Sequence, residues 1–166
     1  MQIMEDERID DLQYKGLRLI QKKKGFCFGI DAVILADFAD IKKGDDVIDL
    51  GTGTGIIAIL IAGKTEARQI TGLEIQEEIS SMAARSVELN NLGSRVNIVK
   101  GDIKEAANNF NSGSFDVVVT NPPYTVSGRG LVNPSDTKAI SRHEILCTLE
   151  DVLYSGSRLL KQGGQL

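Results

Sequence analysis

The sequence is short of the residues on which several classes of protein depend. Its two cysteines, Cys27 and Cys147, lie far apart and neither has a metal-ligand spacing around it, so we interpret both as reduced thiols of a cytosolic protein. No apolar run is long enough to cross a bilayer. The acidic, polar start from Met1 to Asp11 is neither a signal peptide nor a transit peptide. These absences argue against a membrane protein and against a cysteine-built metal site.

Positive charge is also in short supply. The 166 residues carry 19 Lys and Arg against 23 Asp and Glu, a formal net charge of -4, which argues against a general nucleic-acid coat protein. An enzyme with a local basic patch stays possible. A solvated face and a substrate contact are equally good interpretations of one cluster, which consists of Lys15, Arg18, Lys22, Lys23 and Lys24. We divide the chain into a basic and polar lead-in, 1–25, and one core domain, 26–166.

The core alternates short β-rich runs with helical stretches. Strands are predicted over Asp45–Leu50, Gln69–Glu74, Val96–Val99 and Phe115–Thr120, and helices over Ile30–Ile41 (with Asp31 as its cap), Ile56–Ala62, Glu77–Asn90, Ile103–Phe110 and Thr148–Leu160. This order indicates an α/β fold with a parallel sheet and helices on both faces, whose ligands bind beyond the carboxyl ends of the strands. Because only Gln165 and Leu166 follow Gly163-Gly164, we expect the fold to stop before a fifth strand.

A glycine-rich turn follows the first strand of the core. The sequence Asp49-Leu50-Gly51-Thr52-Gly53-Thr54-Gly55 leads directly into a predicted helix, whose free amides favour a carboxylate or phosphate. The Gly-x-Gly-x-Gly spacing differs from the Gly-x-Gly-x-x-Gly of dinucleotide-binding oxidoreductases, which disfavours that class. Asp49 would repel a pyrophosphate but not a cationic amino acid. Both features favour a ligand that ends in a zwitterionic methionine.

Two acidic residues follow the next two strands. Glu74 ends the second strand at about the distance from the glycine turn where an acid accepts both ribose hydroxyls, although an exposed strand-end glutamate would look the same. Asp102 follows the third strand and can accept from an adenine amine. It also suits the N-cap of the next helix, and the two roles are compatible.

The fourth strand runs into Asn121-Pro122-Pro123-Tyr124. Two prolines stiffen the backbone and remove amide donors, which leaves the Pro122 carbonyl and the Asn121 side chain to accept both hydrogens of a planar amine. Tyr124 can stack on a flat acceptor. We therefore predict that this corner holds a planar nitrogen for attack on a sulfonium methyl.

Together these motifs resemble class I S-adenosylmethionine-dependent methyltransferases of the Asn-Pro-Pro-Tyr type, a Rossmann-like fold. The resemblance implies S-adenosylmethionine as cofactor, no metal, and an acceptor site formed by Asn121, Pro122, Pro123 and Tyr124. It also implies a cofactor site to which we assign Phe28, Asp31, Asp49, Gly51, Thr52, Gly53, Gly55, Glu74, Ile75, Asp102, Ile103 and Asn121.

Within that type, the chain is similar to the bacterial tRNA(1)(Val) adenine-37 N6-methyltransferases. The stretches that carry this similarity are Phe26–Phe38, which matches the group's opening helix, and Ser141-Arg142-His143-Glu144. The similarity implies an RNA substrate and no need for His143 as a base. Arg129, Lys138 and Arg142 form a modest basic set around the acceptor loop, and phosphate contacts from them would position a substrate without reading its sequence. Two alternatives stay open: a glutamine N5-methyltransferase acting on release factors, and a cofactor-binding module without catalysis.

Overall fold

The computed structural model describes residues 2–24, 28–121 and 147–166. Its main sheet consists of the strands β3 (Asp46–Leu50), β4 (Gln69–Glu74), β5 (Val96–Lys100), β6 (Phe115–Thr120) and β7 (Leu160–Gln165). These five strands are parallel and lie in the order β5-β4-β3-β6-β7. From the central strand β3 the chain adds β4 and β5 on one side, and then β6 and β7 on the other. The predicted α/β class with a parallel sheet is confirmed, and the sheet reverses its winding between β3 and β6.

Most predicted elements form within two residues of their expected bounds. The helices are α1 (Ile30–Phe38), α2 (Ile56–Lys64), α3 (Glu77–Leu89), α4 (Ala106–Asn109) and α5 (Leu149–Leu159), and a 3-10 turn at Ile103–Glu105 precedes α4. Among the described helices, none is long and apolar enough to cross a membrane.

Alternating residues of the strands build a core on each face of the sheet. Val47, Val117 and Val119 face α1 and α2, and all seven residues from Ile56 to Ala62 are buried there. Ile48 and Val118 face the opposite side, where they pack with α4 and α5. Both faces are therefore covered, as a parallel sheet requires.

The expectation of a fold that stops before the fifth strand is wrong. Leu160–Gln165 forms β7, which pairs in parallel with β6. Its pairing is irregular, because Phe115 lies opposite Leu160 while Val117 lies opposite Gln165. Gly163 takes a positive φ of 81° inside the strand. Two adjacent glycines look like a turn in the sequence, whereas here they form a strand with a bulge.

The lead-in folds into an antiparallel hairpin that the sequence analysis did not predict. Strand β1 (Glu7–Asp11) pairs with β2 (Arg18–Lys22), and β2 rests on α3. The other edge of β2 contacts α3 side chains instead of a strand. Asn90 Oδ1 accepts from the Arg18 amide at 2.8 Å, Asn90 Nδ2 donates to the Arg18 carbonyl, and Ser86 Oγ accepts from the Ile20 amide at 3.0 Å.

Acidic residues surround part of the basic cluster that the sequence singles out. Lys22 Nζ lies 2.6 Å from Asp6 and also pairs with Glu78. Lys15 Nζ donates to the Gly63 carbonyl at 2.9 Å. The cluster is thus a mixed surface in which Lys22 is neutralised, and this weakens its interpretation as a phosphate contact.

A candidate cofactor and acceptor site at the sheet edge

Four strand ends meet along the carboxyl edge of the sheet. Leu50, the last residue of β3, lies opposite Leu73 of β4 and opposite Thr120 of β6. Glu74 of β4 lies opposite Lys100 of β5. Read across the edge from β5 to β6, the motifs therefore follow in one order, namely Asp102, Glu74, the Gly51–Gly55 turn and Asn121. The edge also spans the switch point between β3 and β6, where parallel sheets bind their ligands.

The glycine turn takes a backbone path that other residues rarely adopt. Gly51, Gly53 and Gly55 have φ angles of 76°, 57° and 85°. A Cβ on Gly53 would meet no heavy atom of the described chain within 4 Å, so the turn has open space beside it. Gly55 then forms the N-cap of α2. The turn thus brings bare backbone and the start of a helix to the sheet edge, an arrangement that suits a carboxylate ligand.

Asp49 is fully buried beneath this turn. Its Oδ2 accepts from the Thr52 hydroxyl at 2.6 Å, while its Oδ1 has no hydrogen-bond partner among the described residues. Burial raises the pKa of Asp49 to about 7. The Thr52 bond opposes this shift, and the negative charge of Glu74 adds to it. A buried carboxylate oxygen without a partner is costly, and a cationic ligand group would compensate for it.

Glu74 is also nearly buried, and its carboxylate joins two strand ends. Oε2 accepts from the Gly53 amide at 3.0 Å, and Oε1 accepts from the Gln76 amide at 2.9 Å. Glu74 is therefore not an exposed strand-end glutamate, which was the alternative that the sequence allowed. An ionised carboxylate has about four acceptor positions, so both oxygens can still accept from the hydroxyls of a sugar.

The predicted N-cap role of Asp102 is confirmed. Its side chain accepts from the Lys104 amide at 2.9 Å and starts the 3-10 turn, while the residue stays only half-buried. Ile75 is 36% exposed directly after Glu74. The Cδ1 atom of Ile103 lies 3.6 Å from the Cβ position of Gly51. Apolar side chains therefore flank the acids along the edge, which suits a flat base.

At the end of β6, Asn121 contacts a residue from the far N-terminal side of the core. Its Nδ2 donates to Asp31 Oδ2 at 2.8 Å. The Asp31 carboxylate lies in the first turn of α1, whose N-cap is Gly29, so the prediction that Asp31 caps this helix is wrong. The Asn121 bond lowers the pKa of Asp31 below its ordinary value. Several residues singled out in the sequence lie outside the described residues, namely Phe26, Cys27, Pro122, Pro123, Tyr124, Arg129, Lys138, Arg142 and His143.

Two glycines at the site were missed from the sequence because their neighbours are remote in the chain. A Cβ on Gly72 would lie 2.8 Å from Thr52 Cγ2, so a bare backbone there gives Thr52 room to reach Asp49. A Cβ on Gly29 would lie 2.1 Å from Asp31 Oδ1. The residues next to Gly72 and Gly29 in the sequence do not indicate that either glycine makes room for a side chain of the site.

Comparison with known families gives a match over most of the chain. The model of the family described as methyltransferase small domain matches residues 31–166, which include every strand of the main sheet. The chain belongs to this family. The match begins at Asp31 and extends to the last residue, and the resemblance to S-adenosylmethionine-dependent methyltransferases is thereby confirmed.

Curated relatives are 27% to 31% identical to this chain over the residues that align. It is similar to tRNA1(Val) (adenine(37)-N6)-methyltransferases of Bacteroides fragilis, at 30% identity over 92% of this chain and 63% of the relative, and of Bacteroides thetaiotaomicron, at 31% identity over 92% and 62%. The relative from Tolumonas auensis is 27% identical over the same share of this chain. The chain thus spans a little under two thirds of the length of these relatives.

Solved structures of other proteins resemble the fold of this chain. The YcgJ protein of Bacillus subtilis superimposes with a TM-score of 0.59 at 16% identity, covering 80% of this chain and 47% of that protein. A geranyl diphosphate C-methyltransferase of Streptomyces coelicolor, solved with S-adenosyl-L-homocysteine, gives a TM-score of 0.60 at 18% identity, over 81% of this chain and 42% of that one. At these identities the likeness concerns the fold alone.

Proposed function

We propose that the protein transfers a methyl group from S-adenosylmethionine to the exocyclic N6 amine of an adenine in RNA, with tRNA as the substrate. The observation that carries the proposal is the order of groups along the sheet edge, in which the asparagine that would hold the acceptor lies directly beside the glycine turn. Family membership supports the methyl transfer, and the names of the curated relatives support tRNA.

The residues along the sheet edge suit successive parts of the cofactor. The unpartnered Oδ1 of Asp49 and the open turn at Gly53 suit the amino-acid end. The free acceptor positions on Glu74 suit the ribose, and Asp102 with its apolar neighbours suits the adenine. The cofactor, when bound, supplies an electrophilic methyl group on a sulfonium. The chain's own residues would bind and align it and would need no metal ligand.

The acceptor end of the proposal rests on Asn121. Its side-chain oxygen, together with the carbonyl of Pro122, would accept the two hydrogens of the target amine, and Tyr124 would stack on the base. A base must leave its stack to reach such a pocket. The nitrogen would lose its proton to water after transfer, so this scheme assigns no general base.

The test is methyl transfer from labelled S-adenosylmethionine to unmodified bulk tRNA, followed by nucleoside analysis for N6-methyladenosine. We expect label in tRNA from the wild type. Asn121→Ala should lose most turnover, on the order of 100-fold or more, while its affinity for S-adenosylhomocysteine stays unchanged. Label in a release factor and not in tRNA would instead indicate the glutamine acceptor. Cofactor binding without transfer to either acceptor would indicate a non-catalytic module.

A further inference from the structure

The Asn121 side chain has two orientations that differ by a half-turn of its amide, and only one of them suits the proposed reaction. With its oxygen toward the acceptor, the amide accepts a hydrogen from the target amine. With its NH2 toward the acceptor, two sets of donors would face each other. The two orientations have nearly the same shape, so packing alone does not select between them.

Asp31 provides the selection. An ionised carboxylate only accepts hydrogen bonds, so the nitrogen of the Asn121 amide must face it. Oδ2 of Asp31 accepts from Asn121 Nδ2 at 2.8 Å, which turns the amide oxygen away from Asp31. The negative charge on the nitrogen side also polarises the amide and strengthens its oxygen as an acceptor.

The Asp31 carboxylate is exposed to solvent but lies against the backbone of Gly29. A Cβ on Gly29 would clash with its Oδ1, so the carboxylate lies there only because position 29 has no side chain. One residue earlier, the Phe28 amide donates to Oε1 of the buried Gln21 at 3.3 Å, and Gln21 Nε2 donates to Asp10 Oδ2 at 2.5 Å. The hairpin therefore supports the segment from which Asp31 reaches Asn121.

We propose that Asp31 is a positioning residue that fixes the Asn121 amide with its oxygen available to the acceptor amine, through the bond between Asn121 Nδ2 and Asp31 Oδ2. This role rests on the proposed function of Asn121. It differs from the direct contact with the cofactor that the sequence resemblance implies for Asp31.

An exchange of the two side chains tests the role. Asn121→Asp alone sets two carboxylates against each other and should lower kcat at least about 100-fold. In Asp31→Asn with Asn121→Asp, the new amide can donate to the new carboxylate, whose second oxygen still faces the acceptor, so at least about tenfold of kcat should return. Asp31→Ala should lower kcat roughly tenfold, with the affinity for S-adenosylhomocysteine unchanged within about twofold. Asp40→Ala, an exposed acid just beyond α1, is the matched control and should leave both values as they are.

A second variant moves the carboxylate without removing it. Gly29→Ala should displace Asp31 and lower kcat as Asp31→Ala does. Gly93→Ala, where a Cβ meets no heavy atom of the described chain within 4 Å, should not. No recovery in the exchanged pair, or a cofactor affinity lowered about tenfold or more by Asp31→Ala, would overturn the positioning role.

Side-chain amide resonances give a readout that needs no turnover. The NH2 signals of Asn121 are identified by their loss in Asn121→Asp. They should shift in Asp31→Ala and stay in place in Asp40→Ala. If they do so while the wild type methylates neither tRNA nor a release factor, the proposed function fails and the Asp31–Asn121 bond stands. If they do not shift in Asp31→Ala, the positioning role fails whatever the activity.

Discussion

At the scale of single residues, the candidate site is defined by groups that are expensive to bury. Asp49 is covered on all sides, yet one of its oxygens has no partner in the described part of the chain. Thr52 and Gly72 hold this arrangement, since the threonine donates to Asp49 and the glycine leaves it room. Such an uncompensated carboxylate beside a ligand turn is a candidate binding group for a cation.

The raised pKa of Asp49 predicts a pH-dependent affinity for the cofactor. With a pKa of about 7, Asp49 is largely protonated at pH 6 and ionised at pH 8. A cationic amino group binds the ionised form, so the affinity for S-adenosylhomocysteine should rise about tenfold from pH 6 to pH 8. Calorimetry in buffers of different ionisation enthalpy should also detect proton release on binding at pH 6. Asp49→Asn should bind more weakly and should lack this rise, whereas an equal rise in the variant would assign it to another group.

At the scale of elements, the accuracy of the sequence-based predictions depends on how local each signal is. Strand β6 and helix α2 were recognised because apolar runs and the glycines beside them specify them locally. The hairpin was missed because β1 contains a single large apolar residue, and its buried position belongs to Glu7, whose partner Arg85 is on α3. Strand β7 was missed because its glycines contradict a strand pattern and only pairing with β6 makes it one.

The Glu7–Arg85 pair predicts how firmly the hairpin is docked. Both oxygens of Glu7 accept from Arg85 at 2.6 Å, and the Glu7 side chain is 1% exposed. Arg85→Met leaves a buried carboxylate unpaired and should lower the free energy of unfolding by about 3 to 5 kcal/mol, measured by urea denaturation. Adding Glu7→Leu should restore most of the loss. Lys43→Met, which breaks an exposed pair with Glu66, should cost less than about 1 kcal/mol.

The same pair predicts a loss of stability in acid. Arg85 lowers the pKa of Glu7 to about 2, from 4.5. A lowered pKa stabilises the folded state at pH values above 4.5, and this contribution is lost as the pH falls from 4.5 through 2. The free energy of unfolding of the wild type should therefore decrease over this range more steeply than that of the Arg85→Met, Glu7→Leu double variant. Parallel curves for the two proteins would contradict the assignment.

At the scale of the whole molecule, one sheet edge gathers groups from four strands, and this was the part that the sequence predicted best. Parallel strands place their carboxyl ends together whatever the intervening helices do, so the order of motifs along the chain sufficed to bring Glu74 and Asn121 to one edge. The bond between Asn121 and Asp31 could not be predicted, since it joins residues 90 positions apart through the placement of α1.

Ligand binding at this edge should stabilise the entire fold. S-adenosylhomocysteine at 100 times its dissociation constant should add about 2.7 kcal/mol to the free energy of unfolding and raise Tm by roughly 5 to 11 °C. Glu74→Ala should weaken binding by roughly 2 to 4 kcal/mol and remove most of that shift at the same ligand concentration. Differential scanning fluorimetry measures both. A nicotinamide dinucleotide that raised Tm more than S-adenosylhomocysteine does would contradict the assignment of the cofactor.

The reversal of winding between β3 and β6 has a consequence for how such proteins diversify. Under the proposed function, Asp49, Gly53, Glu74 and Asp102, which suit successive parts of the donor, lie in or just after strands of one half of the sheet, and Asn121, which would contact the acceptor, follows a strand of the other half. Leu50 and Thr120 form the seam between them, closed by a bond from Thr120 Oγ1 to the Leu50 carbonyl at 2.8 Å. Selection for a new acceptor can therefore act on the segment that follows Thr120 while the donor half is inherited unchanged.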